Sequence, residues 1–351
     1  MNYRRATMLL LAAVPFAIHL PAAALRKAAD KPVKVFILSG QSNMEGKAKV
    51  SLLEYQLTQP ETKKEFQHLQ KDGKWVERDD VWIKFLNRKG KLTVGFGSPG
   101  RIGPELEFGN TVGDFYDEQV LIIKTAWGGK SLYRDFRPPS AGLPSAAELM
   151  QLLEQARKRK PATTLDDIKE SFGHYYRAML TEVLQTLDHL DELFPDYHGQ
   201  GYEIAGFVWF QGWNDMVNPK YVDAYTENMA TFIKDVRKDL KAPNMPFVIG
   251  QLGVGGVKEE KPNAGKDKFK AAQAKAAERP EFQGNVAVVK TDQFWDETAY
   301  AVFKKGWKQH FEEWEKVGSD YPFHYLGSVK TYTRTGKAFG QSILKLSQSS
   351  K

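Results

Sequence analysis

"VKVFILSGQSNMEG", residues 33–46, runs from a β-branched apolar segment straight into Gly-Gln-Ser-Asn-Met. An unbroken apolar run of this length suits a strand covered on both faces. Such a strand needs a turn at its end, but it does not need this polar cluster. Ser42 at the tip is therefore either ordinary turn chemistry or a displayed side chain, and the rest of the chain must decide.

Similar runs recur at 81–86 (VWIKFL), 119–124 (QVLIIK), 204–210 (IAGFVWF), 246–250 (PFVIG) and 286–290 (VAVVK). Between most of them lie stretches of helical period, among them "SAAELMQLLEQARKR", "HYYRAMLTEVLQTLDHLDELF" and "KYVDAYTENMATFIKDVRKDL". Alternation of this kind predicts right-handed βαβ crossovers, a mostly parallel sheet and helices on both faces: a three-layer α/β/α sandwich. One domain over 33–348 is expected, with 134–172, rich in proline and charge, as an insertion that is either a wall over the site or a solvated excursion.

Ligands of open α/β sheets bind beyond the carboxyl ends of the strands. Those ends here carry Gly40-Gln41-Ser42-Asn43-Met44, then Gly128-Gly129 in "TAWGGKSL", then Gln211-Gly212-Trp213-Asn214-Asp215. Acyl transfer needs a nucleophile, a base, a group that orients the base, and donors for the developing oxyanion. Ser42 supplies the first. Gly128 or Gly129 can bring a backbone N–H close, and Gln211 or Asn214 can offer an amide. Of the seven histidines, His324 stands out, in the turn-rich "GSDYPFHYLGS", with Asp320 four residues before it. Within one tight loop that carboxylate can turn back to the imidazole and fix its tautomer.

Competing motifs fail on spacing. "WGGKS" has Lys124 where a phosphate-binding loop requires glycine, and Met44 stands where the Gly-x-Ser-x-Gly elbow has its last glycine. Glu105 and Glu107 in "GPELEFG" could be paired glycosidase acids, but a capped helix start explains them as well. No histidines stand at metal-ligand spacing from the acidic clusters.

"SGQSNMEG", "GPELEFG", "KTAWGGKSL", "WFQGWNDM" and "DYPFHYLGS", in this order, resemble the SGNH hydrolase superfamily and, within it, the sialate O-acetylesterase-like and acetylxylan esterase-like carbohydrate esterases. The resemblance implies a flavodoxin-like sheet and removal of O-acetyl groups from carbohydrates without a metal or other cofactor. It implies Ser42 as nucleophile and His324 as base. Its oxyanion hole would combine the Ser42 N–H, Gly128 or Gly129, and Gln211 or Asn214. Gln41, Trp127 and Trp213 would meet the sugar, with Tyr133 as a further ring, although these aromatics also suit core packing. The superfamily places its acid three residues before the histidine, where Tyr321 stands here, so Asp292 and Asp296 compete with Asp320. A non-catalytic carbohydrate binder on the same fold, or an esterase for feruloyl, peptidoglycan or lipid esters, is the alternative.

Arg4 and Arg5, the apolar "MLLLAAVPFAIHL" and Ala22 to Ala24 read as a secretory signal peptide over 1–24, which implies a secreted or periplasmic protein with no membrane span after cleavage. The chain has no cysteine, so disulfides and thiolate catalysis are excluded. Its net charge of +7 is spread among acids, which argues against a nucleic-acid surface.

Overall fold

The computed structural model describes residues 31–258 and 263–349. The signal-peptide expectation concerns residues 1–24, which lie outside that range; among the described residues no helix is long and apolar enough to cross a membrane. The seven-stranded sheet contains β1 (Val33–Gly40), β2 (Arg78–Phe85), β3 (Arg88–Leu92), β4 (Val120–Ala126), β5 (Tyr202–Phe210), β6 (Phe247–Gln251) and β7 (Val286–Lys290), in the order β7-β6-β5-β1-β4-β2-β3. All pair in parallel except β3, which returns antiparallel along the edge of β2. The six apolar runs are the six parallel strands. β3 is a strand the hydrophobic pattern does not announce, since "RKGKL" is charged, as edge strands commonly are.

The side chains alternate between two helical layers, as the period-2 geometry of a strand demands. Phe36 of β1 meets Phe108 on α2 (Glu105–Gly113), centroids 5.4 Å apart. Ser39, three positions on, faces Met179 of α5 (His174–Asp188) on the opposite side. Trp209 of β5 packs at 4.6 Å on Phe232 of α6 (Pro219–Asp239), and Phe210 at 5.3 Å on Phe339 of α7 (Val329–Ser349). The sheet is thus sandwiched, and the expected α/β/α architecture is the one observed. Segment 134–172 contributes helices α3 (Ala146–Arg157) and α4 (Leu165–Ser171), whose Leu149, Leu153 and Ile168 form a small core with Tyr133 and Phe172, seated on Tyr221 and Ala224 of α6.

β1 lies at the topological switch point, with β4 on one side and β5 on the other. Directly beneath its exit lies Lys124, fully buried in the apolar run of β4. Its ammonium donates to the Glu45 and Phe96 carbonyls, both at 2.8 Å, and to Glu105 Oε2 at 2.7 Å. Glu105 Oε1 takes the Gly103 N–H at 2.8 Å. Burial pushes the lysine below its usual range and the Glu105 carboxylate pulls it back. Glu105 is thereby accounted for as a structural ion, and Glu107 faces His68 at 2.7 Å instead, so the two are not a catalytic acid pair. Removing one partner of a buried ion pair leaves an uncompensated charge, so Glu105→Gln should cost about 3–5 kcal/mol of stability. Urea denaturation of the variant beside the parent measures it.

Candidate active site

The carboxyl ends of β1, β4 and β5 bring three loops to one rim. Gly40 pairs with Ala126 on one side and with Phe210 on the other, and the pairing runs one step further through the Trp127 N–H to the Gly40 carbonyl at 3.2 Å and the Gln41 N–H to the Phe210 carbonyl at 3.3 Å. Ser42 then opens a single helical turn, α1 (Ser42–Glu45), and its N–H, as the first of that turn, has no intrahelical acceptor. A Cβ placed on Gly128 would lie 3.7 Å from the Ser42 Cβ and 3.4 Å from Glu45 Oε2, so only glycine leaves open the space beside the serine. Gly129 has nothing comparable within 4 Å and sits at φ +73°, where it completes the turn.

Two amides expected at the reaction centre have structural duties. Gln211 is buried and donates to the Lys130 carbonyl at 3.0 Å and to Asp215 Oδ2 at 2.5 Å, while its Oε1 accepts from Tyr225 at 3.2 Å. Both of its N–H groups are committed, which removes it as an oxyanion donor. Gln41 is 2% exposed; its Oε1 takes the N–H groups of Gly212 and Asn214 and its Nε2 donates to Asn214 Oδ1 at 3.2 Å, so it braces the next loop instead of facing a ligand. The same bond orients Asn214: with Oδ1 occupied, the Nδ2 of this half-buried residue is left without a partner among the described residues. Asp215 is fully buried and binds the Leu132 and Tyr133 N–H groups at 2.8 and 2.9 Å, tying the β5 loop to the β4 loop.

His324 occupies a loop that folds back on itself. The Ser319 and Asp320 N–H groups both donate to the Leu326 carbonyl, at 2.7 and 3.0 Å, which sets Asp320 Oδ1 3.0 Å from His324 Nδ1. Burial of Asp320 favours its neutral form, but bonds from His324, the Tyr321 N–H and Arg101 outweigh it and hold the carboxyl at about 2. An ionised carboxylate can only accept, so Nδ1 carries a proton, and in the neutral imidazole Nε2 is the nitrogen with the lone pair. The loop is fastened beside the serine: Asn43 Nδ2 donates to the Phe323 carbonyl at 3.1 Å, and the buried Tyr332 hydroxyl reaches Asn43 Oδ1 at 2.9 Å and the His324 carbonyl at 3.3 Å. The competing acids are engaged elsewhere. Asp292 pairs with Lys270, and Asp296 caps the helix starting at Glu297 through the Ala299 N–H at 3.1 Å and takes the Ser328 hydroxyl at 2.6 Å.

Of the three aromatic candidates, Trp213 and Trp127 are half-buried at the rim. Trp213 leans on Phe323 at 5.7 Å; Trp127 rests on Tyr175 at 5.2 Å and, with Gly128 and Glu45, borders a groove of about 500 Å³. Tyr133 is 5% exposed and stacks on Tyr221 at 4.2 Å, with its hydroxyl on Glu148, so it belongs to the small core and not to the rim.

Residues 32–301 match the family described as carbohydrate esterase, sialic acid-specific acetylesterase. The chain belongs to this family. Among curated proteins it is similar to a probable carbohydrate esterase of Arabidopsis thaliana, 34% identical over 56 residues, a stretch that covers 16% of this chain and 22% of the relative's length. Among solved structures, an Arabidopsis thaliana protein superposes with a TM-score of 0.50 at 18% identity over 89% of this chain and 98% of its own, which supports the fold. A carbohydrate acetylesterase from Xanthomonas citri gives a TM-score of 0.42 at 15% identity, over 73% of this chain and 49% of its own.

The sequence reading of this family member missed Arg101, Asn43, Tyr332 and Glu45. Glu45 accepts from Lys47 at 3.0 Å and Ser98 at 2.8 Å beside Gly128. Arg101 could have been suspected from its place in "SPGRIGPE", a lone cation in a turn-rich loop, and Asn43 and Glu45 from theirs in "SGQSNMEG"; Tyr332 carries no local signal. Asp215 generates a pH test. Burial raises it to about 7, against the pull of its three donors, so between about pH 4 and pH 7 the folded chain holds a proton that the unfolded chain has lost. Stability through this group therefore falls as pH rises across that window. Urea titrations at pH 5 and pH 8 should show the decline in the parent and a flatter profile in Asp215→Asn.

Proposed function

We propose that this carbohydrate esterase removes O-acetyl groups from sugars through a serine acyl-enzyme, with Ser42 as nucleophile, His324 as general base and Asp320 as the group that orients it. The observation that carries the reading is the His324–Asp320 bond, in a loop tied to Asn43 next to Ser42. His324 Nε2 takes the hydroxyl proton as Ser42 Oγ attacks the acetyl carbonyl, and the oxyanion forms against the N–H groups of Ser42 and of Gly128 or Gly129, together with Asn214 Nδ2. Collapse releases the sugar hydroxyl, which receives the proton from His324. Water, activated by the same nitrogen, then attacks the acetyl-enzyme and frees acetate and Ser42. Gly128 is favoured over Gly129 by its approach to the serine. Export is part of the proposal, with the mature chain beginning near Leu25; mass spectrometry of the N-terminus after expression with the full leader tests it.

Acetate release from acetylated xylan, acetylated sialic acid and p-nitrophenyl acetate should vanish in Ser42→Ala while the unfolding midpoint is kept; a fully active variant overturns the assignment. Asp320→Asn should lower kcat by about 10⁴, the effect of a lost tautomer lock in such triads. Asn214→Ala, which deletes one oxyanion donor, should lower kcat about 10²- to 10³-fold with little change in KM. A fluorophosphonate probe that leaves Ser42 unlabelled would favour a binder without catalysis.

A further inference from the structure

A second cavity, of about 450 Å³, opens on the other side of Asp320. Its walls carry the rings of Tyr55, Trp307, Phe311 and Tyr321, with Arg101 and Lys49 among the polar groups between them. The volume lies in the range of small-ligand pockets, roughly 300–1,000 Å³. Phe311 and Tyr321 are 49% and 48% exposed, so both rings are open to a ligand.

The cavity is joined to the reaction centre. Tyr321 stands edge-on to Trp307 at 6.1 Å and stacks on Phe323 at 5.5 Å with the planes 5° apart. Phe323 in turn meets His324 at 4.5 Å and Trp213 at 5.7 Å. An aromatic ridge thus runs from the cavity, over the histidine loop, to the rim beside Ser42. A ridge of flat rings with hydrogen-bonding groups along its flanks matches a ligand with alternating apolar faces and hydroxyl edges, which is the surface of a chain of sugar rings. A purely aliphatic ligand would desolvate the charged heads of Lys49 and Glu315 in the same wall while offering them no partner.

We infer that this cavity is a distal subsite that holds an unreacted sugar ring of an oligomeric substrate while another ring of the same chain presents its acetyl group to Ser42. The inference rests on the esterase reading and adds the substrate class: acetylated glycan chains in preference to single acetylated sugars. Binding at the distal ring stabilises ground and transition states alike, so its loss raises KM more than it lowers kcat.

The test compares acetylated monomer and hexamer of one sugar, in a xylose and a galacturonic acid series, and sialic acid against acetylated oligosialic acid. In at least one series the parent should give a higher kcat/KM on the oligomer. In that series Trp307→Ala and Phe311→Ala should each lower the oligomer-to-monomer ratio of kcat/KM by about 5- to 10-fold, the scale of a lost ring contact. Phe311 lies at the surface, so its variant reports even if Trp307→Ala fails to fold. Equal ratios in parent and variants, or a parent without oligomer preference in any series, overturn the subsite. A parent that fails to hydrolyse p-nitrophenyl acetate would instead overturn the esterase reading beneath it.

Discussion

At the head of the sheet the backbone of Gly40 lies against the carbonyl of Phe210. A Cβ on residue 40 would stand 2.2 Å from that oxygen, and the residue sits at φ +155°, so only glycine lets β1 end there. The rest of the site follows from this contact through register. Gly40, Ala126 and Phe210 are aligned in adjacent strands, so the residues two steps beyond, Ser42, Gly128 and Gly212, leave the sheet at one level. A slip of one position in either neighbour would present the other face of its loop. The common rim is therefore a property of hydrogen-bond ladders buried in the core, whose stiffness the loops inherit.

Charge at the rim is handled in two ways. Asp215 has three N–H donors and no cation, so burial dominates and its carboxyl rises to about 7. Asp320 has a guanidinium and an imidazole as partners, and its carboxyl stays at about 2. The first arrangement suits a brace, since a group near neutrality can join two loops without demanding a counter-ion. The second suits a partner for a base: in the proposed mechanism a permanently ionised carboxylate would stabilise the imidazolium formed when His324 takes a proton. Two aspartates of one rim are thus separated in role by what faces them.

The parallel strands were legible because burial on both faces demands uninterrupted apolar runs, and the placement of Ser42, Gly128, Asn214 and His324 was legible because they stand at the ends of those runs or in a turn-rich loop. Edge strand β3 was not, since one of its sides needs no hydrophobic neighbour. Gln211 and Gln41 misled for a different reason: an amide at a strand end can aim inward or outward, and the choice is made by distant partners, Lys130 and Asp215 for one, Gly212 and Asn214 for the other. Lys124 escaped notice as anything but an absent glycine, because its partners Glu45, Phe96 and Glu105 come from three separate segments. The four-residue spacing between Asp320 and His324 departs from the three of the superfamily, and the sequence alone holds no reason for it.

The backbone resolves that spacing. Tyr325, Leu326 and Gly327 sit in succession at φ +49°, +61° and +56°, and for the two side-chain-bearing residues this region costs about 1–2 kcal/mol each. Glycine is required at 327, where a Cβ would fall 2.3 Å from Ser319 Oγ. The strain is offset by what the reversal buries. Tyr325 and Leu326 are almost fully enclosed, and the Tyr325 hydroxyl takes the Gly253 N–H at 2.8 Å and meets Thr291 at 2.7 Å. Turning Tyr325 inward leaves the preceding His324 at the rim, and the Leu326 carbonyl, pointed back, gathers the two N–H groups that bring Asp320 round to it. A relaxed loop of the same composition would let the imidazole wander, and each excursion would have to be reversed before the proposed proton transfer. Here the ordering is met during folding by apolar burial, so little of it would remain to be met in each turn of the proposed reaction.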